Sequence, residues 1–247
     1  MIYREAVLGA VLAAGAIFSG CHSSPSINQV AADTKTQFQR QLNQDYADKH
    51  GTVQNVSIVQ TAAPKYEGEA TVAAFNQTFS VPLVVTSDGK TTLVIADTQK
   101  LSAGFDTALQ RNLAILNGKY SDYIVSSDFF EMMPASLKEA KVDFVTRLNV
   151  ASPIESDADY FFGSGCKAHE CGENEAAWAI DKTTGKGTAV IMKNEPANAE
   201  MSADLYFRVY GINDGEFPRP LLEWAEQKGM TKMNVSFDTP AYQAPQR

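Results

Sequence analysis

Apolar residues recur every four positions from Asn28 to about Tyr46, at Phe38, Leu42 and Tyr46. This spacing predicts an amphipathic helix that stops at His50-Gly51. The period then changes. Residues 53–60, VQNVSIVQ, carry Val53 and alternate at Val56 and Ile58. YEGEATVAAF and FSVPLVVT follow, and SDGK is a turn signal leading into TTLVIAD. Residues 28–97 therefore read as one helix followed by an antiparallel meander of about four strands. A second helix is predicted over 101–117, with Phe105, Leu109, Leu113 and Leu116 on one stripe and Gly118 at its end. Pro134 opens a third, PASLKEAKVDFVTRL, with Leu137, Phe144 and Leu148 facing inward. Pro153 and ESDAD mark a loop. YFFGSG, EAAWAID, TAVIMK and LYFRVYG read as strands, the last also compatible with a helix. PRPLLEWAEQKG is a helix with prolines at its start and Gly229 at its end. The pattern defines an α+β fold of antiparallel sheets with packed helices, divided into two small α+β domains, 28–100 and 101–238. A mobile tail, 239–247, is expected beyond them.

The first residues do not belong to that pattern. MIYREAVLGAVLAAGAIFSGC has a positive Arg4 and an apolar run of 13 residues, Ala6 to Phe18. The run is too short to span a bilayer comfortably and suits a signal peptide. Ser19, Gly20 and Cys21 follow, and the whole resembles a bacterial lipoprotein signal, with Phe18 where leucine is usual. A plain secretory signal or a weak anchor helix is the alternative. The resemblance implies removal of residues 1–20, lipid on Cys21, a polar tether over 21–27 and attachment to the membrane through that lipid. His22 follows the cysteine where inner-membrane lipoproteins usually carry Asp. This favours the outer membrane, with the chain facing an oxidising periplasm.

Charge and motifs narrow the function. Lys and Arg number 21 against 29 Asp and Glu, a net charge of −8. There is no basic run, so nucleic acid is a poor partner. An acidic surface favours a cationic protein. No cofactor motif is present, and G-x-S-x-G, H-E-x-x-H and Walker A are all missing. DGKTT has Val84 where a Walker A loop needs its first glycine. Asp33, Asp45 and Asp48 are expected on a solvated helix face, and Asp157 and Asp159 in a solvated loop. The role of residues 28–100 has no motif to define it.

The candidate chemistry lies in GCKAHECG, residues 165–172, on the connection between two strands. If Cys21 carries lipid, Cys166 and Cys171 remain, and an even remainder in the periplasm argues for a disulfide. In the chain-entropy model a ring of six residues contributes only ~2 kcal/mol, so its main effect would be local. A closed ring lowers the ordering cost when it binds something. Three readings compete with a binding loop. One is a structural disulfide in an envelope protein. One is a C-x₂-H-x-C metal site on Cys166, His169 and Cys171, which lacks a fourth ligand. One is a redox pair, which ordinarily needs C-x-x-C. Trp178 on the following strand either supports the loop or rests in the core.

CKAHEC followed by glycine, entered from YFFGSG and left through a strand carrying Trp178, resembles the inhibitor of vertebrate lysozyme family. The resemblance covers about 118–230, and the loop is its specific motif. It implies an inhibitor that is not an enzyme, uses no cofactor and binds c-type lysozyme. Cys166 and Cys171 would form the disulfide. His169 would meet the two catalytic carboxylates, flanked by Lys167, Ala168 and Glu170. Ala168 stands where the family usually has proline, so φ at that position is not fixed by a ring.

Overall fold

The computed structural model of the chain describes residues 25–126, 128–194, 205–212 and 217–238. The expected signal peptide, Cys21 and the tail lie outside the described residues. Helix α1 (Ile27–Asp45) buries Val30, Thr34, Phe38 and Leu42 on one stripe. Ser26 caps it, its side chain accepting from the Gln29 N–H at 3.2 Å, so the last residues of the expected tether already begin the helix. Strands β1 (Thr52–Ala62), β2 (Lys65–Ala74), β3 (Gln77–Ser87) and β4 (Thr92–Ala96) form an antiparallel meander in that order. The uneven phase of β1, Val53 and then Val56 and Ile58, has a simple cause. The register against β2 shifts between Val53 and Asn55, a bulge that keeps these apolar side chains on the α1 side. The β3–β4 turn is closed by Asp88, whose carboxylate accepts from the Thr91 and Lys90 N–H groups at 2.8 Å each. Those two bonds hold its carboxyl below the usual range.

Helix α2 (Thr98–Leu113) starts on Asp97, which accepts from the Lys100 N–H at 3.0 Å. It serves two cores. Leu101 and Phe105 pack with the first sheet, and Leu109 and Leu113 pack in the C-terminal half. Phe75, in the β2–β3 turn, touches both clusters. A boundary at residue 100 therefore falls at the start of a helix that neither half can lose without exposing apolar side chains.

The C-terminal half opens with 3-10 turns over Ser121–Ser126 and Asp128–Met132. The single helix expected over 134–148 is instead two, α3 (Ala135–Glu139) and α4 (Lys141–Thr146). They are separated at Ala140, which leaves the helical region at φ −94°, ψ 11°. Leu137, Phe144 and Leu148 all reach the core as expected, at 0 %, 0 % and 1 % exposure. Three further stretches complete the entry to the sheet: β5 (Val150–Ala151), β6 (Glu155–Ser156) and β7 (Tyr160–Cys166). Then come β8 (Glu175–Asp181), β9 (Gly187–Lys193), β10 (Tyr206–Tyr210), α5 (Arg219–Gln227) and β11 (Val235–Phe237). The sheet order is β11-β10-β9-β8-β7-β5, with β6 also beside β7. All pairs are antiparallel except β10 with β11.

Strands β8 and β9 are buried on both faces, which explains their nearly unbroken apolar sequences. Trp178, Ile180 and Ile191 face the cluster that includes Leu113 and Phe144. Ala177, Val190 and Met192 face Leu221 and Ala225 of α5. Asp157 differs from the expected solvated acid. It accepts from the Asp159 and Tyr160 N–H groups at 2.8 and 2.7 Å and pairs with Arg219 at 2.7 Å. Partial burial alone would raise its pKa, but the two backbone N–H groups and the Arg219 guanidinium outweigh that and hold it low.

Leu109→Ala should cost about 2–5 kcal/mol, the usual range for emptying a buried leucine site. Both tryptophans, Trp178 and Trp224, lie in the C-terminal half, so fluorescence reports on that half alone. Because α2 belongs to both cores, denaturation followed by fluorescence and by far-UV circular dichroism should coincide. Two separate transitions would show that the halves unfold independently.

Candidate functional site

The cysteine loop is the connection between β7 and β8, whose pairing ends at Cys166 opposite Glu175. This places the loop at the end of the hairpin. The opposite end of β8 turns through residues 181–186 and packs toward α2, where the Gln110 side chain donates to the Lys182 carbonyl at 2.7 Å. The loop therefore points away from the shared helix. Cys166, at the strand end, is buried, and Cys171 is exposed. Their sulfurs form a disulfide across a Cα–Cα distance of 5.0 Å. Sulfurs so engaged are not thiolates that could bind a metal.

The two flanking glycines do different work. Gly172 has φ 94° and makes the turn out of the ring. Gly165 lies inside β7, at the end of the stretch YFFGSG read as a strand. A Cβ there would sit 2.9 Å from the Val150 carbonyl oxygen, so glycine is needed for the close approach of β5. Between the cysteines, His169 takes the left-handed conformation at φ 68°. That region is sparsely populated by residues other than glycine, asparagine, aspartate and histidine. Ala168 and His169 are exposed, and they form the outer edge of the ring.

The other two ring residues are held from below. Lys167 Nζ pairs with Glu170 Oε1 at 2.6 Å. Glu170 Oε2 accepts from Asn174 Nδ2 at 2.7 Å, and the Asn174 Oδ1 accepts from Arg147 Nη2 at 2.9 Å. The Asn174 backbone closes the same base: its carbonyl accepts from the Lys167 N–H at 2.8 Å, and its N–H donates to the Glu170 carbonyl at 2.9 Å. Arg147 is only 6 % exposed. Its Nε donates to the Met192 carbonyl at 3.2 Å and its Nη1 donates to the Asp143 carboxylate and carbonyl. The other Asp143 oxygen pairs with Lys193 at 2.5 Å. A second buried charge, Glu175 at 6 % exposure, accepts from the Gly172 N–H at 2.6 Å and from Lys228 Nζ at 2.8 Å.

The sequence pattern brought out the ring but not its supports. Arg147, Asn174, Glu175 and Lys228 are scattered along the chain, and no motif marks them. Arg147 carried one faint signal, a cation between the inward-facing Phe144 and Leu148 of a short helix. Trp178 rests in the core at 0 % exposure, its Nε1 donating to the Ser121 carbonyl at 3.0 Å. Trp178 is thus a core residue and not a direct support of the ring.

A disulfide ring of polar residues at the tip of the β7–β8 hairpin presents a small exposed surface. In comparison with known families, residues 131–227 match the family described as inhibitor of vertebrate lysozyme (Ivy). The match lies within the stretch that the sequence resemblance covered. It includes the ring, Arg147, Asn174 and Glu175, and leaves residues 28–100 outside it. The description of that family names inhibitors of vertebrate lysozyme, and the match covers less than half of the chain. Comparison with curated proteins and with solved structures gave no match.

Glu170 supplies a direct check on the ring geometry. The Lys167 ammonium beside it, with help from Asn174, holds its carboxyl below the usual range. A carboxyl whose folded pKa is depressed contributes stability that is complete above its unfolded pKa and is lost as pH falls through the folded value. The ring base should therefore be intact at neutral pH and loosen only in acid. Carbon-detected NMR titration of Glu170 should find it below an ordinary glutamate, and Lys167→Met should move it back up. An unchanged titration in that variant would mean that the pair does not form in solution.

Proposed function

We propose that this protein inhibits a c-type lysozyme by inserting the Cys166–Cys171 ring into the catalytic cleft, with His169 as the residue that meets the catalytic carboxylates. The observation that carries the reading is the presentation of His169: exposed, in a left-handed turn, on a disulfide ring whose neighbouring side chains are tied down. A glycosidase cleft of this type pairs two carboxyl groups, one held protonated as the general acid. An imidazole can donate from one nitrogen and accept at the other, or donate from both when charged, so it suits either state of the pair. Lys167 and Glu170 are engaged with each other, so the ring meets the acidic cleft with little net charge around the imidazole. A convex ring fills a groove shaped for polysaccharide, and its closure lowers the entropy lost on docking. The net charge of −8 favours fast encounter with a cationic enzyme and predicts association that slows with added salt.

The same proposal places the protein in the bacterial envelope, lipid-anchored through Cys21 and facing the periplasm at the outer membrane. The apolar run before Cys21 supports this, and an oxidising compartment suits the disulfide. Cys21→Ser followed by cell fractionation should move the protein out of the membrane fraction; retention there would overturn the anchor.

The inhibitory activity is tested by titrating the purified chain against hen egg-white lysozyme. His169→Ala should weaken inhibition by about tenfold to a hundredfold, the equivalent of ~1.5–3 kcal/mol for hydrogen bonds to charged groups. Replacing both Cys166 and Cys171 by serine should weaken it too, while lowering the melting temperature little. A merely structural disulfide gives the opposite ranking: the double serine variant melts early and His169→Ala changes nothing. Absence of inhibition by the unaltered chain at micromolar concentration would overturn the proposal.

A further inference from the structure

Outside the ring itself, a line of charged and amide groups among the described residues leads from the interior to the site. It starts at Arg147, 6 % exposed at the end of α4. Every contact of the guanidinium is directed. Nε holds β9 through the Met192 carbonyl, Nη1 holds Asp143, and Nη2 holds Asn174. Asn174 passes the constraint outward by its amide, which donates to Glu170, and Glu170 in turn accepts from Lys167. The last two residues flank Ala168 and His169 on either side. We infer that Arg147 and Asn174 are positioning residues for inhibition: they orient the ring through Glu170 and so fix the direction in which His169 points. This rests on the reading of the ring as the inhibitory element.

The physical case is one of direction and of cost. A disulfide fixes the distance between the ends of the ring but leaves the ring free to swing about the line joining them. Two further contacts oppose that motion, and they sit on different sides of the ring. Asn174 holds Glu170 and Lys167, while Glu175 holds the Gly172 N–H. Arg147 makes the first restraint rigid. A solvated asparagine could rotate about its side-chain torsions. One whose oxygen is engaged by a buried guanidinium, itself bonded to β9 and α4, has its amide nitrogen pointed at Glu170. A guanidinium this buried is expensive to leave without partners, so the arrangement resists opening. Proline at position 168 would stiffen the ring from inside; with Ala168 that task falls to the contacts from below.

The order of donors and acceptors allows a test that separates positioning from folding. Asn174→Asp keeps an oxygen for Arg147 and makes that bond charge-assisted, so the melting temperature should hold or rise. The same change sets a carboxylate against Glu170, so the ring should loosen and inhibition of hen egg-white lysozyme should fall by roughly tenfold. Adding Glu170→Gln exchanges donor and acceptor. The new amide at position 170 donates to the new carboxylate at position 174, while its oxygen still accepts from Lys167. The net charge is that of the unaltered chain. The double variant should recover most of the inhibition. Hydrogen exchange of the backbone amide at position 170, measured on the free protein, should follow the same order: slow, faster by about tenfold in the single variant, slow again in the pair. That readout needs no lysozyme. If the unaltered chain inhibits nothing, exchange still decides whether the relay orients the ring. Exchange and inhibition unchanged by Asn174→Asp, or a loss that the double variant does not restore, would overturn the inference.

Discussion

The ring can act only if β7 and β8 pair in one register, and a close glycine–tryptophan contact helps to hold it. Gly163 on β7 lies opposite Trp178 on β8. A Cβ at Gly163 would fall 2.5 Å from the Trp178 ring, so the indole occupies the space that the missing side chain leaves. The indole nitrogen bonds the Ser121 carbonyl, and Ser121 Oγ donates back to the Ser164 carbonyl on β7 at 2.5 Å. Tryptophan, glycine and serine thus interlock two strands and the 3-10 turn that covers them. A slip of one residue would turn Trp178 out of its core and bring another side chain opposite Gly163. It would also separate Cys166 from Glu175 and, with them, the two residues that begin and end the loop.

The same register distributes polar groups that would otherwise be costly. Glu175 and Arg147 are both 6 % exposed, and isolated charges at such depth are strongly unfavourable. Each is neutralised by a partner: Lys228 beyond α5 for Glu175, and Asp143, one turn back in α4, for Arg147. Pairs of this kind add little to stability by themselves, because desolvation offsets much of the attraction. Their effect here is geometric. They join α4, β9, the region after α5 and the ring into one arrangement whose parts cannot shift separately without stranding a charge. The apolar layers carry the stability, and the polar line carries the orientation.

Most of the fold was legible because burial writes itself into period. Alternation in β2 and β3, the stripe of α2 and the unbroken apolar runs of β8 and β9 each follow from which faces are covered. What escaped was set by tertiary contact. Nothing in EAK announces the break at Ala140. Strand β11 is three residues long, too short to carry a period, and exists because β10 offers it a parallel edge. At the site, the ring was legible through its cysteines and histidine, a combination with no packing explanation. Its supports were not, since an arginine, an asparagine and a glutamate become a relay only when the sheet brings them together. Gly165 shows the limit from the other side: its glycine was visible, but its reason, the approach of the Val150 carbonyl, was not.

The departure at Ala168 then takes a definite physical meaning. A proline there would restrict one torsion angle before any tertiary contact formed, in the unfolded chain as well as in the folded one. Alanine leaves that freedom to be removed at folding, by contacts that exist only when α4, β8 and β9 are assembled. Order in the ring is thereby coupled to order in the domain. Disturbance of the Arg147 site, deep in the protein, reaches His169 through two side chains, whereas in a proline-stiffened ring it would reach a loop already held locally. The left-handed φ of His169 adds to this coupling. A histidine in that region gives up conformational energy that the ring closure and the base contacts must offset, so the presentation of the imidazole is a property of the whole C-terminal half and not of the six residues alone.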